Sequence, residues 1–210
     1  MGRIGRILLV LALVVVVGGC GGLPVKPSGF LSHYDRLRPD EEIDGLWWWE
    51  ASGVDWSKYH KVCIEPIDVR INLSKTPRRI SPDEIRRLSL GLRKAIVNAL
   101  KDRYPIVERP GPGVLVLKAA LVHLKPVSRK LNIVTSMILM WPIDTGEAAV
   151  EAQFLDGASG KLLGEVLMSS EGSTLEITKV WSRWEQVEEA FKQWAKLLRK
   201  AMDEATSQGR

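Results

Sequence analysis

Cysteine is scarce in this chain. Cys20 and Cys63 are the only two among 210 residues, so one disulfide at most could form and the fold is no disulfide-dense scaffold. Histidine is nearly as rare. His33, His60 and His123 stand far apart, and none has metal-ligand spacing. No serine sits in a Gly-x-Ser-x-Gly elbow. Cys63 has no evident histidine partner, and Gly111 and Gly113 alternate with prolines without opening a helix, so they form no phosphate cradle. Charge of one sign is lacking too. The formal charge of +5 is a mild excess spread along the chain, which gives no reason to propose nucleic acid as a partner. No apolar run reaches the ~20 residues of a membrane-spanning helix. These absences argue against an enzyme, a metal site and a cofactor. A triad assembled from distant residues stays open, because such sites are built by the fold.

What is present begins with a leader. Arg3 and Arg6 precede an uncharged run from Ile7 to Val17, then Gly18-Gly19-Cys20. A positive start, a short apolar core and small residues before a cleavage point make a secretion signal. A cysteine just after that point resembles the lipobox of bacterial lipoproteins. The resemblance implies that Cys20 is acylated and becomes the first residue of the mature chain. Several acyl chains hold a membrane far better than one, since each buried methylene contributes about 0.8 kcal/mol. Gly21, not aspartate, follows Cys20, which by the same resemblance implies the outer membrane, with the domain facing the periplasm. With Cys20 taken by lipid, Cys63 stands alone in the strand-like Val62-Cys63-Ile64 and reads as a buried, inert thiol.

Four segments follow: a leader over 1–19, a lipidated tether over 20–29, an irregular arm over 30–60 and a folded domain over 61–205. Gly21 to Gly29 is rich in glycine and proline and spans at most about 30 Å when extended. The arm carries Phe30, Leu31, Tyr34, Leu37, Trp56 and Tyr59 as anchors. Lys61–Ile71 reads as a strand placed at an edge, or bulged, at Pro66, which has no N–H to donate. Ser81-Pro82-Asp83-Glu84 opens a helix, with Ser81 and Glu84 at capping-box spacing. Ile85, Leu88, Leu92, Ala95, Ile96, Ala99 and Leu100 recur at helical period. A short strand over 106–108 is followed by a Pro-Gly turn and the apolar strand Val114–Leu124, expected to be central and covered on both faces. Glu147–Asp156 alternates, Asp156–Lys161 is a hairpin turn, and Leu162–Ser170 returns. A last helix is expected over 182–205, its buried stripe formed by Trp184, Val187, Ala190, Phe191, Trp194, Leu197, Leu198 and Ala201. The fold class is α+β: a mixed, mostly antiparallel sheet of four to five strands with two helices on one face, joined by one crossover.

Two stretches are candidate surfaces. In Trp47-Trp48-Trp49, successive side chains of an extended segment alternate faces. Either two pack on the sheet with the third half exposed, or the set serves an interface, which tryptophan favours. Leu131–Ile143 runs thirteen residues without a charge and holds Met137, Met140 and Trp141. It reads either as a further strand or covered loop, or as an adaptable contact.

Several of these features stand in a familiar order: Phe30-Leu31-Ser32-x-Tyr34-x-x-Leu37, then Val54-Asp55-Trp56-Ser57-Lys58-Tyr59, then Pro110-Gly111-Pro112-Gly113-Val114-Leu115. Val150-Glu151-Ala152 leading to Leu155-Asp156-x-x-Ser159-Gly160-Lys161-Leu162 comes next, and Trp184 through Phe191-x-x-Trp194-Ala195 closes the series. Behind a lipobox, this set resembles the bacterial lipoproteins of domain-of-unknown-function family 3313 over residues 28–203. The resemblance implies location and fold and transfers no catalytic residue. The function expected is therefore a non-enzymatic envelope lipoprotein, held to the membrane by lipid and binding an envelope protein near the outer membrane. The alternative is a module for a small hydrophobic ligand or lipid, with Trp47–Trp49 and Leu131–Ile143 lining a pocket.

Overall fold

The computed structural model describes residues 23, 26–71, 81–125, 147–171 and 185–207. Cys20, Trp184 and the stretch 131–143, with Met137, Met140 and Trp141, lie outside the described residues. The elements are β1 (Arg38–Pro39), β2 (Leu46–Glu50), β3 (Lys61–Ile64), β4 (Asp68–Val69), α1 (Pro82–Leu100), β5 (Ile106–Val107), β6 (Val114–Lys125), β7 (Glu147–Asp156), β8 (Leu162–Glu171) and α2 (Glu185–Ser207). The strands form one sheet in the order β1-β2-β8-β7-β6-β3-β5, with β4 also on β6.

The class is α+β with a mixed sheet, as the sequence predicts, but the sheet has eight strands rather than four to five. The excess has two sources. The segment 30–60 is irregular only in part: Leu46–Glu50 pairs antiparallel with β8, and Arg38–Pro39 pairs with it in turn. The single strand expected over 61–71 is broken into β3 and β4, both parallel to β6. Pro66 lies in that break. The backbone ladder resumes on either side of it, with Glu65 N donating to Leu117 O at 3.0 Å and Arg70 N to Leu121 O at 2.9 Å. The Arg93 guanidinium takes the Ile64 carbonyl at 2.6 Å, which satisfies an acceptor near the interruption.

Helix α1 starts as its sequence dictates. Ser81 Oγ accepts from Glu84 N at 3.2 Å, and Glu84 Oε2 accepts from Ser81 N at 2.9 Å, completing a capping box. Its buried stripe is Leu88, Leu92, Ile96 and Leu100. In α2, Val187, Phe191, Ala195 and Met202 are buried. Ala201, expected in that stripe, is exposed. Val187, Phe191 and Ala195 are spaced by four residues, and Met202, seven beyond Ala195, falls at the same angle around the helix axis, whereas 201 falls off that face. Both helices close one face of the sheet, packing on Val62, Ile64, Leu115, Leu117, Leu121, Val150 and Leu163. Each such fully buried side chain stabilises by about 1.5–3 kcal/mol.

Candidate functional site

The other face of the sheet is closed differently. In β7, Val150, Ala152 and Phe154 belong to the helix-side cluster. Strand alternation therefore turns Ala149, Glu151 and Gln153 to the opposite side. In β8, a register irregularity opposite Phe154 and Leu155 leaves Leu163 on the helix side, while Leu167 packs with Ala149 on the other face and Glu165, paired with Gln153, shares that face. The register sets Gln153 opposite Glu165 and Glu151 opposite Leu167, so the two glutamates are diagonal neighbours. Both are fully buried. The N-terminal arm covers them.

Each glutamate grips a different part of that arm. Glu165 Oε1 accepts the Ser32 N–H at 2.6 Å, and Oε2 accepts the His33 N–H at 2.9 Å. His33 Nδ1 lies 3.3 Å from Oε2. Gln153 Nε2 donates to Oε1 at 2.8 Å and to Ser32 Oγ at 3.1 Å, which ties the carboxylate to its own sheet. Glu151 Oε2 accepts from Ser28 Oγ at 2.6 Å and from Tyr34 Oη at 2.7 Å. Its second oxygen, Oε1, is buried with no hydrogen-bond partner among the described residues. Unpartnered carboxylates are costly to bury, so the arm satisfies groups that an open sheet face would have to leave to water.

Tyr34 organises the turn. Its hydroxyl accepts the N–H groups of Gly29 at 3.0 Å, Phe30 at 3.2 Å and Leu31 at 3.3 Å while donating to Glu151. Burial raises the phenol above its ordinary value, and the hydrogen bond to Glu151 adds to that rise. Leu31 and Leu37 are buried on Ala149 and Leu167, with Leu23, Phe30, Trp47 and Trp49 packed against them. The tryptophan triplet thus splits by strand parity. Trp47 and Trp49 join the arm-side cluster, and Trp48 on the opposite face remains 44% exposed. Arg36 stacks over Trp49, with its guanidinium carbon 5.3 Å from the ring centroid, and Arg70 stacks over Phe30 at 5.3 Å.

A second polar cluster lies at one end of the sheet. Tyr59 Oη donates to Asp156 Oδ2 at 2.8 Å. Asp156 Oδ1 accepts from Ala158 N, Ser159 N and Ser159 Oγ at 3.1, 2.7 and 2.7 Å. These bonds, the one from Ser159 Oγ foremost, lower the Asp156 carboxyl to about 2. Burial raises the Tyr59 phenol. A cavity of about 210 Å³ beside them is lined by Asp55, Lys58, Ser159 and Lys161, among others. The Pro-Gly turn closes the same end. Gly113 has φ +71°, and a Cβ there would come 2.6 Å from the His60 ring. Gly157 donates to Val114 O at 2.9 Å. The quoted segments around residues 54–60, 110–115 and 155–162 therefore meet in space.

The residues singled out from sequence divide. Trp47, Trp48 and Trp49 lie on β2, between the short edge strand β1 and β8. Cys63 is buried, and burial pushes its thiol up. His33, His60 and His123 do not converge, and no group of three metal-ligating side chains occurs among the described residues. Sequence reasoning missed Glu151 and Glu165. The available signal was Glu165 inside the apolar return strand, where a lone carboxylate needs a partner, with Ser28, Ser32 and Tyr34 as donors in an arm rich in anchors.

An α+β domain whose outer sheet face is closed by its own N-terminal segment is the class this geometry defines. The chain belongs to DUF3313, a family of proteins of unknown function, whose model matches residues 26–198. No curated protein matches it. Among solved structures it is similar to the PelC dodecamer from Paraburkholderia phytofirmans, at 13% identity over 72% of this chain and 94% of that one, TM-score 0.42. It is similar to protein XCC0632 from Xanthomonas campestris at 12% identity, over 71% and 86% of the two chains, TM-score 0.39. A DUF4136 family protein from Bacteroides thetaiotaomicron shares 11% identity over 76% and 98%, TM-score 0.36.

Proposed function

We propose that this protein is a lipid-anchored, non-enzymatic lipoprotein of the bacterial envelope, acylated at Cys20 and facing the periplasm from the outer membrane, which presents its domain to an envelope protein. The observation that carries the proposal is the binding of the arm. The segment that leads from Cys20 is held to the sheet by two buried glutamates, so an anchor at Cys20 would hold a rigid body near the membrane. Trp48 supplies an exposed aromatic group on β2, beside the two-residue edge strand β1, and tryptophan is enriched where one protein meets another. The ligand-pocket alternative has less support, because Trp47 and Trp49 are packed against Leu31, Leu37 and Leu167 instead of lining a cavity.

The test is photo-crosslinking in cells, with the probe at Trp48 and a control at the exposed Lys196 on α2. A specific protein adduct at position 48, absent at 196, is expected. Equal labelling at both sites, or lipid adducts alone, overturns the protein-partner reading. Acylation is checked separately: substitution Cys20→Ala abolishes the mass increment of the acyl chains and the membrane fractionation.

A further inference from the structure

The arm-covered face of the sheet has an orientation with respect to lipid. Leu23 already packs with the cluster of Leu31, Leu37, Ala149 and Leu167. Only Gly21 and Gly22 stand between Leu23 and Cys20. Three Cα-to-Cα steps span at most about 11 Å, far less than the length expected if the whole glycine- and proline-rich segment were free. The arm beyond that short link is part of the rigid domain. Ser28 and Tyr34 are bound to Glu151 on β7, and Ser32 and His33 to Glu165 on β8, so the arm is fixed to two adjacent strands.

The surface chemistry around this point is that of a head-group zone. Lys26, Arg36, Arg38 and Arg70 are exposed. Arg36 and Arg70 lie over half-buried aromatic rings, Trp49 and Phe30. Long cationic side chains with apolar stems, set beside amphipathic rings, favour the boundary between water and hydrocarbon. Cations near an anionic leaflet are attracted within a Debye length. Between Lys26 and Arg38 the one acidic residue is Asp35. Asp68 is paired with Arg70 at 2.9 Å, and Arg70 Nη1 also donates to the Gly29 carbonyl at 2.6 Å, so the positive charge of the patch rests on Lys26, Arg36 and Arg38 while Arg70 holds the arm in place. The acidic turn that follows, with Asp40, Glu41, Glu42 and Asp44, would be repelled by anionic lipid and marks the limit of the contact.

We infer that the arm face of the domain, around Leu23, Lys26, Phe30, Arg36 and Arg70, is a membrane-contact surface that rests on anionic phospholipid head groups. The inference depends on acylation at Cys20. It leaves α1 and α2 pointing away from the bilayer, with Trp48 near the sheet edge open to a periplasmic partner.

The test uses the full-length acylated protein in vesicles of phosphatidylethanolamine and phosphatidylglycerol. A nitroxide is attached in turn to Asp35→Cys on the arm and to Leu90→Cys on the exposed side of α1, where Leu90 is 59% exposed. Collision with a water-soluble nickel chelate is then measured. The label at 35 is expected to be shielded several-fold relative to the label at 90, and the double substitution Lys26→Glu, Arg36→Glu should remove most of that shielding. Equal access at both positions, in protein that floats with the vesicles, overturns the contact and leaves the anchor standing. Folded protein that fails to float overturns both. Shielding at 35 that persists in detergent and rises with protein concentration assigns the face to a second copy and overturns the lipid surface.

Discussion

The two faces of this sheet are closed by different physics. On one side, α1 and α2 bury Leu88, Leu92, Ile96, Leu100, Val187 and Phe191 against β3, β6, β7 and β8. That closure is apolar area and shape. On the other side, an arm whose helical structure is limited to the short turns Tyr34–Arg36 and Trp56–Lys58 is held through Glu151 and Glu165. That closure is directional: short charge-assisted hydrogen bonds to backbone N–H groups and to the Ser28 and Tyr34 hydroxyls. The comparison teaches that a segment too irregular to offer an apolar stripe can still be fixed, provided the sheet buries acceptors beneath its donors. It also predicts that the two faces fail differently.

The largest effect is expected from Phe191→Ala in the helix-side core. Removing that fully buried ring should cost about 3–5 kcal/mol and lower the urea midpoint of the whole domain in one transition. Glu165→Ala should cost less, about 3 kcal/mol, because it orphans the Ser32 and His33 N–H groups. Its signature is local: amide exchange accelerates over residues 26–38 while α1 and α2 stay protected. If exchange rises uniformly instead, the distinction between the faces breaks. Tyr34→Phe removes the donor to Glu151 and the acceptor for three backbone N–H groups. A loss of about 1–2 kcal/mol in chemical denaturation is expected, again concentrated in the arm.

A smaller effect separates the sheet end from both faces. The Asp156 carboxyl is depressed to about 2 in the folded state, from an ordinary 3.8. A depressed folded value means that its contribution is fully present above the ordinary value and is lost as pH falls through the folded one. Melting temperature should therefore fall between about pH 4 and pH 2, with a shallower fall in Asp156→Asn. A wild-type slope retained in that variant would assign the acid sensitivity elsewhere. The smallest effect is expected at Trp48→Ala, within about 0.5 kcal/mol in urea, as for most surface positions. Trp49→Ala, which loses packing against the arm cluster and the stacked Arg36, should cost distinctly more.

Legibility in the sequence followed the range of the forces involved. The start of α1 was written in four consecutive residues, and the capping box forms as spelled. Strands β5 to β8 and the turn at Asp156 follow from alternation and turn chemistry, and both are found where expected. Two short strands, Arg38–Pro39 and Leu46–Glu50, were not legible, and the separation of Asp68–Val69 from β3 was legible only as an edge or bulge at Pro66. Arg38–Pro39 and Asp68–Val69 have two residues each, too few for any period. Leu46–Glu50 offers three consecutive tryptophans, which hides alternation, because every position is large and apolar. The glutamate clamp was hidden for a related reason. Glu151 and Gln153 read as the polar side of an alternating strand, a pattern that normally means solvent.

By itself, the sequence determined the leader-like start, the α+β class and the two amphipathic helices, because each depends on neighbours within a few residues. Tertiary structure alone decided that Glu151 and Glu165 are buried. Their donors in the arm lie 117 to 133 positions away, as for Tyr34 with Glu151 and Ser32 with Glu165, and no local pattern encodes such a meeting. It also decided which tryptophan faces water, since the parity of β2 is fixed by its register on β8.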